Sequence, residues 1–175
     1  TAYGKSKAEA EERLRELCRG TSTQLTIMRA PLVYGPGVEA KFLQLLSIMR
    51  RGIPLPFASV KNRRSMIYID NLTDALLVAA TSPAAANETF FVADDEAWST
   101  PELIRELASA MHRSPRLIPL PVALLKLAGK RVEPLITSME VDSSKFRRLT
   151  GWGPPHSARD GLRRTVSHTP PSSRA

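Results

Sequence analysis

Short runs of β-branched and aromatic residues alternate along the chain with segments whose apolar residues recur at helical spacing. This pattern predicts strands that alternate with helices. Short runs rich in β-branched and aromatic residues predict strands at 25–29, 65–69 and 88–93. Apolar residues spaced three and four positions apart predict helices at 3–19, 40–51, about 71–82, from Ser99 onward, 122–130 and 143–152. This order favours an α/β fold with parallel strand pairing.

The first predicted helix has one apolar side. Ala10, Leu14, Leu17 and Cys18 share that side, the opposite side is polar, and Gly20 is a natural stop. We therefore expect Cys18 to be a core residue and not a reactive one.

Local signals mark the starts of two later helices. Asp70 or Asn71 can cap the helix that runs to about Ser82. Ser99, with Pro101 near the first helical position and Glu102 three residues on, is typical of a capped helix start.

Three other segments are expected to be irregular. The proline- and glycine-rich stretch 31–37 predicts a loop, and the acidic stretch 94–96 predicts a solvated turn. After Arg164 the sequence offers little to bury, so we expect disorder there.

Composition is typical of a globular protein. The 175 residues can form one sizeable core, with 42% hydrophobic and 24% charged residues. The single cysteine excludes an internal disulfide and favours a reducing compartment. The first residues are not a signal peptide in pattern, and the most apolar stretch, 117–129, is too short and proline-broken to span a bilayer. We expect a cytoplasmic protein without membrane association.

Charge does not indicate nucleic acid as a partner. The net charge is +8, but residues 144–175 carry seven basic residues and one acidic residue and so hold most of it. That end lacks interleaved aromatic residues. His112, His156 and His168 have no metal-ligand spacing, so no metal site is expected.

Four blocks resemble the extended branch of the short-chain dehydrogenase/reductase superfamily, which contains the nucleotide-sugar epimerases and dehydratases. The Tyr-x-x-x-Lys helix of that superfamily is matched by "YGKSKAEAE" at 3–11. The later blocks follow in family order: "RAPLVYGPG" (29–37), "GIPLPFASVKNRRSMIYIDNLTDAL" (52–76) and "VDSSKFRRLTGWGPPHSARDGLRRTV" (141–166). The order, more than any single motif, identifies the chain as a member.

The resemblance implies a C-terminal portion of a Rossmann-like doubly wound fold with a small α/β substrate-binding domain. Residues 1–37 would belong to the dinucleotide-binding domain, 38–166 mainly to the substrate-binding domain, and 167–175 to a disordered tail. No glycine-rich dinucleotide turn occurs in the sequence. We therefore expect that a longer enzyme supplies it, and that this chain alone has no turnover.

Tyr3 and Lys7 are four residues apart, so they are neighbours on a helix. A phenol with a pKa of about 10 is a poor base at neutral pH, and an adjacent cation favours its ionised form. By resemblance, Tyr3 takes a proton from a sugar hydroxyl while hydride passes to NAD, and Lys7 also binds the nicotinamide ribose. From the residues alone, an exposed surface pair remains the alternative.

The resemblance also implies contacts with cofactor and substrate. Pro31 lies where the family's backbone approaches the nicotinamide. Arg64 matches its diphosphate-binding arginine and Phe57 its base pocket. Independently of the resemblance, Lys41 near the start of its helix is a candidate contact for phosphate. The plain alternatives are a solvated basic cluster for Arg64, a core position for Phe57 and a surface position for Lys41.

The function implied is an NAD-dependent nucleotide-sugar epimerase or dehydratase, similar to UDP-sugar 4-epimerases, that acts through a transient 4-keto sugar. Leu32 stands where many such members have asparagine, which keeps open an NADP-dependent ketone or hydroxysteroid reductase. A catalytically inactive binding fragment is the alternative from another class. The complete enzyme is expected to be a homodimer.

Overall fold

The computed structural model describes residues 2–37, 41–129 and 132–169, except for the side chains of Tyr3 and Lys41. In chain order the elements are α1 (Ala2–Cys18), β1 (Ile27–Arg29), β2 (Leu32–Tyr34), α2 (Lys41–Arg50), β3 (Met66–Tyr68), α3 (Ile69–Thr81), a 3-10 turn (Pro83–Ala85), β4 (Thr89–Phe91), α4 (Thr100–Ala110), α5 (Val122–Lys126), α6 (Glu133–Ile136), α7 (Ser144–Thr150) and α8 (Ala158–Ser167).

The strands form two parallel pairs, as the alternation of elements predicts. β1 pairs with β4, with Arg29 opposite Phe91, and β2 pairs with β3, with Leu32 opposite Met66. The backbone N–H of Asp94 donates to the Met66 carbonyl at 2.9 Å and joins the end of β4 to β3. The α/β class is confirmed.

The prediction that 31–37 is entirely a loop was wrong. Residues 32–34 form β2, although Pro31 and Gly35 enclose them closely. Three consecutive strand formers, Leu-Val-Tyr, were the available signal, but a run this short has no readable period. Pairing with β3, some thirty residues later in the sequence, decides its conformation.

The core has two hydrophobic clusters, one on each face of β3. Met66 and Tyr68 join the larger cluster, while Ile67 joins the smaller one with Phe90 and Phe146. This alternation follows the two-residue period of a strand. Because both faces of β3 are covered, all three of its residues are buried, as is usual for parallel strands.

The expectation that Cys18 is a core residue was wrong, and the apolar side of α1 is largely exposed. Leu14 and Leu17 are 45% and 73% exposed, Ala10 is exposed, and Cys18 is only half-buried. The side that meets the strands instead carries Glu11, which is half-buried and hydrogen-bonded to Arg29. Polar bonds to β1, and not apolar area, therefore set the rotation of this helix.

One of the two predicted helix caps is present. Ser99 caps α4: its hydroxyl accepts from Glu102 N, and Glu102 Oε2 accepts from Ser99 N at 2.7 Å. The cap predicted at Asp70 or Asn71 was wrong, because α3 begins at Ile69 and its N-cap residue, Tyr68, makes no side-chain cap. The Asn71 side chain is buried and used elsewhere.

The chain after Arg164 is ordered through residue 169, contrary to expectation. Helix α8 continues to Ser167, and Thr165, Val166 and Thr169 are buried. The Arg50 side chain donates to the Thr169 carbonyl at 2.7 Å. The amphipathic spacing of a last helical turn provides this burial. Residues 170–175, the rest of the expected tail, lie outside the described residues.

Asp94 is buried, so the solvated turn predicted for 94–96 was wrong at its first residue. The Asp94 carboxylate accepts hydrogen bonds from the Tyr34 hydroxyl at 2.8 Å, the Asn71 amide at 2.8 Å and the Tyr68 N–H at 3.1 Å. Asn71 also bonds the backbone of His156 in both directions, at 2.9 Å each. This polar network ties β2, β3, the end of β4 and the segment before α8 together.

In the ranges that the structure describes, no helix is long and apolar enough to cross a membrane. Over the same ranges, no group of three or more His, Cys, Asp or Glu side chains is arranged to hold a metal ion.

Candidate active site

Helix α1 is attached to the strands by polar bonds along one side. The Arg29 guanidinium donates to both carboxylate oxygens of Glu11, at 2.8 and 2.6 Å. One helical turn further on, Arg15 donates to the Thr89 hydroxyl at 3.1 Å. The hydrogen bonds from Arg29 lower the pKa of Glu11, so this carboxylate stays charged.

These two attachments fix the direction of the helix. Glu11 lies at Arg29 and Arg15 lies at Thr89, which is the partner of Ile27. Moving toward the start of α1 therefore means moving toward the carboxyl end of β1. The two elements are antiparallel.

Lys7 therefore lies on the part of α1 that points toward the carboxyl end of β1, the end that Pro31 follows. Ligands of open parallel sheets bind at the carboxyl ends of the strands. A cofactor role for Lys7 remains a prediction.

Tyr3 continues the same side of α1, since it precedes Lys7 by four residues. Its backbone belongs to the helix, but its side chain lies outside the described residues. Lys7 is exposed, and it takes part in an interaction within the chain. Pro31 is half-buried between β1 and β2.

Arg64 lies two residues before β3, at the amino end of the β2–β3 pair. Its backbone bridges Trp98 on one side and Met139 on the other. Pro31 lies in the short connection between the carboxyl end of β1 and the start of β2.

The Arg64 side chain is held by the protein and is not part of a solvated cluster. Its Nη1 atom lies 2.6 Å from the Pro134 carbonyl oxygen and 3.3 Å from that of Thr137. Burial lowers the pKa of this guanidinium, which nevertheless stays a cation at physiological pH. The neighbouring Arg63 is exposed and lies 3.8 Å from a Glu140 carboxylate oxygen.

Phe57 and Lys41 are the other two residues that the sequence predicts to bind substrate. Phe57 is 6% exposed and packs in the larger hydrophobic cluster, which is the plain alternative for that residue. Lys41 begins α2, but its side chain lies outside the described residues.

Two polar residues near Arg64 were missed by the sequence reasoning. Asn62 and Thr100 are each 4% exposed, and both donate to carbonyls of the segment 135–137. Asn62 lies in a basic run, 61–64, whose composition predicts solvent exposure. Thr100 stands between Ser99 and Pro101 in a predicted helix start, a pattern that does not indicate a further role for its hydroxyl.

The residues present fit one end of a dinucleotide cofactor. Lys7 and Pro31 lie at the carboxyl edge of the strands, where a nicotinamide and its ribose would meet a cation and an approaching backbone. The glycine-rich turn that holds a pyrophosphate does not occur in the sequence. The chain can therefore contribute only part of a dinucleotide site.

Residues 1–93 match the family model described as the NAD dependent epimerase/dehydratase family. The matched part is more than half of the chain, and the chain belongs to that family. This confirms the resemblance carried by the four sequence blocks.

Known relatives agree with the family and with the fold. The UDP-glucose 4-epimerase of Vibrio cholerae is 39% identical over 171 residues, which is 94% of this chain and 52% of that protein. A crystal structure of UDP-glucuronic acid 4-epimerase from Bacillus cereus in complex with NAD matches with a TM-score of 0.75 and 21% identity, over 96% of this chain and 52% of that one.

A second structure, UDP-glucose 4-epimerase from Thermotoga maritima with UDP-glucose, matches with a TM-score of 0.71 and 24% identity, over 95% of this chain and 52% of that one. These likenesses confirm a Rossmann-type α/β fold. The chain spans about half the length of the relatives that it matches.

Proposed function

We propose that this chain supplies the Tyr/Lys helix and the nucleotide-sugar diphosphate site of an NAD-dependent epimerase or dehydratase. The observation that carries the proposal is the partly buried Arg64 guanidinium, whose Nη1 is held by the Pro134 and Thr137 carbonyls. A nucleotide-sugar oxidation requires a cation of this kind for the diphosphate and a second cation, proposed to be Lys7, for the cofactor ribose. The Vibrio cholerae relative supports an epimerase of the UDP-sugar kind.

Tyr3 is the proposed base, with Lys7 beside it. Ionised Tyr3 would take the proton of the sugar 4-hydroxyl, and the positive charge of Lys7 would stabilise the phenolate. Bound NAD would supply the hydride acceptor and, later, the hydride donor. The 4-keto sugar can then be reduced on its other face, which gives epimerisation, or lose water first, which gives dehydration.

Arg64 is the proposed diphosphate ligand. A guanidinium recognises phosphate oxygens through parallel N–H groups in one plane. Its Nη1 is directed to two carbonyls, so the edge formed by Nε and Nη2 is the one that can meet phosphate. Lys41 is proposed to lie near a phosphate of the substrate. Phe57, a residue of the larger hydrophobic cluster, is proposed to form one side of the pocket for the nucleotide base.

The two proposed domains have different roles. Residues 1–37 would complete a dinucleotide-binding domain supplied by a longer enzyme, and residues 38–166 would mainly bind substrate. Such an enzyme would act as a homodimer in the cytoplasm.

Binding of UDP to the chain tests this proposal. We expect isothermal titration to show UDP binding to the chain, and Arg64→Gln to weaken it roughly 10- to 100-fold, since a hydrogen bond between charged groups is lost. Arg63→Gln, the exposed neighbour, is the matched control and should bind as the unsubstituted chain does. Equal affinities for all three proteins, or no UDP binding by the folded chain, would contradict the proposal.

A further inference from the structure

Segment 134–137, which includes most of the single-turn helix α6, is held from outside by three side chains. The last carbonyls of a helix have no partner within it and need donors from elsewhere. Here the Arg64 guanidinium meets the carbonyls of Pro134 and Thr137. A helix this short cannot hold its own end, so these donors define where the segment lies.

Thr100 is the second of the three. Its hydroxyl donates to the Leu135 carbonyl at 2.6 Å, a short distance for such a bond, and the side chain is buried. Thr100 is the first residue of α4, whose start is fixed by the capping box of Ser99 and Glu102. The hydroxyl therefore comes from a rigid position.

Asn62 is the third of these side chains, and it links segment 134–137 to the start of α4. Its amide nitrogen donates to the Thr137 carbonyl at 3.3 Å, the same oxygen that Arg64 Nη1 meets at 3.3 Å. Its amide oxygen accepts from the Thr100 N–H at 2.9 Å. Asn62 thus bonds both to the start of α4 and to the carbonyl that orients Arg64.

The main chain fixes the same geometry. Arg64 and Trp98 exchange both backbone hydrogen bonds at 2.9 Å, and Trp98 is two residues before Thr100. The Arg64 side chain, by contrast, is long and would sample many rotamers if nothing held it. The pair of carbonyls selects one rotamer. Thr100 and Asn62 hold the segment that carries those carbonyls, together with the main-chain bonds that Met139 makes to the two sequence neighbours of Arg64.

We propose that Thr100 and Asn62 are positioning residues that preorganise Arg64 for a diphosphate group. The inference rests on the proposed function and adds to it. They hold segment 134–137 so that its carbonyls take Nη1 of Arg64 and aim the Nε and Nη2 edge at the ligand. Preorganisation of this kind raises affinity because the ordering cost is met before the ligand binds.

The test uses the full 175-residue chain with UDP and uridine as probes in isothermal titration. Thr100→Val removes the hydroxyl and keeps the shape, and we expect it to weaken UDP binding about five- to tenfold. Uridine, which lacks the diphosphate, should bind equally to both proteins. Thr100→Ser restores the hydroxyl and should restore the UDP affinity.

Two controls separate positioning from general damage. Thr165→Val removes a buried hydroxyl that also donates to a carbonyl, that of Gly161 at 2.7 Å, and should leave UDP binding unchanged. In an Arg64→Gln background, Thr100→Val should have no further effect on UDP binding, because it acts through Arg64. Asn62→Ala removes the hydrogen bond from the Asn62 amide to the Thr137 carbonyl and tests the second positioning residue. It replaces Thr100→Val in the test if that variant does not fold.

The possible outcomes distinguish failure of the proposed function from failure of the positioning roles. If the unsubstituted chain folds and does not bind UDP, the proposed function fails and the positioning roles fail with it. If UDP binds and the variants bind it as tightly as the unsubstituted chain, only the positioning roles fail. Equal weakening of UDP and uridine, or an undiminished effect in the Arg64→Gln background, would also overturn them.

Discussion

At the scale of single residues, the polar side chains that organise this molecule are buried and satisfied. Asp94 is the main case: it is 6% exposed, and three donors surround its carboxylate. Burial raises its pKa, while the hydrogen bonds from Asn71, Tyr34 and Tyr68 oppose that rise. Burial also raises the pKa of Tyr34, which keeps this phenol a donor.

Asp94→Ala should lower the free energy of unfolding by about 3 kcal/mol, because it leaves three buried donors without an acceptor at about 1 kcal/mol or more each. Asp94→Asn keeps one acceptor oxygen and should cost less. Urea unfolding followed by circular dichroism measures both. Asp95→Asn, at an exposed neighbour, is the control, and an equal effect at 94 and 95 would contradict the network.

The same residue predicts a pH dependence. A raised folded pKa means that the folded state holds the proton more tightly, so this group's contribution to stability is largest at low pH. It decreases as pH rises from the ordinary value of about 3.9 toward the folded pKa. Urea unfolding at several pH values should show this decrease in the unsubstituted chain relative to Asp94→Asn; parallel curves would contradict it.

At the scale of elements, hydrophobic pattern predicts which segments form helices and strands better than it predicts how they pack. Helix α1 and strands β3 and β4 occur where the pattern predicts them. The pattern failed for β2, whose three residues need a remote partner. It also failed for the rotation of α1, whose side toward the strands carries Glu11 bonded to Arg29, while Leu14 and Leu17 are exposed.

The attachment of α1 gives an element-scale prediction. Glu11→Gln keeps the shape and removes the charge, so we expect amide hydrogens of α1 to exchange up to about fivefold faster, the size expected for a partly exposed ion pair. Glu12→Gln, one position around the helix, should not change the rates. Because the folded pKa of Glu11 is lowered, its contribution to protection in the unsubstituted chain should be complete above the ordinary glutamate pKa and should decrease as pH falls from that value toward the folded pKa. Equal exchange in both variants would contradict this attachment.

At the scale of the whole molecule, sequence motifs predict the family and the order of its parts, but not the arrangement around Arg64. The motifs are local, whereas Arg64 meets carbonyls 70 and 73 positions away. No period or spacing in the sequence indicates that contact.

A nuclear magnetic resonance titration of the isotope-labelled chain with UDP-glucose tests whether Arg64 forms a nucleotide-sugar site. We expect the largest shift changes in the backbone of Arg64, in the residues next to Pro31 and in segment 134–137. Arg64→Gln should reduce these changes. Shift changes confined to another surface, or none from the folded chain, would contradict a nucleotide-sugar site built on Arg64.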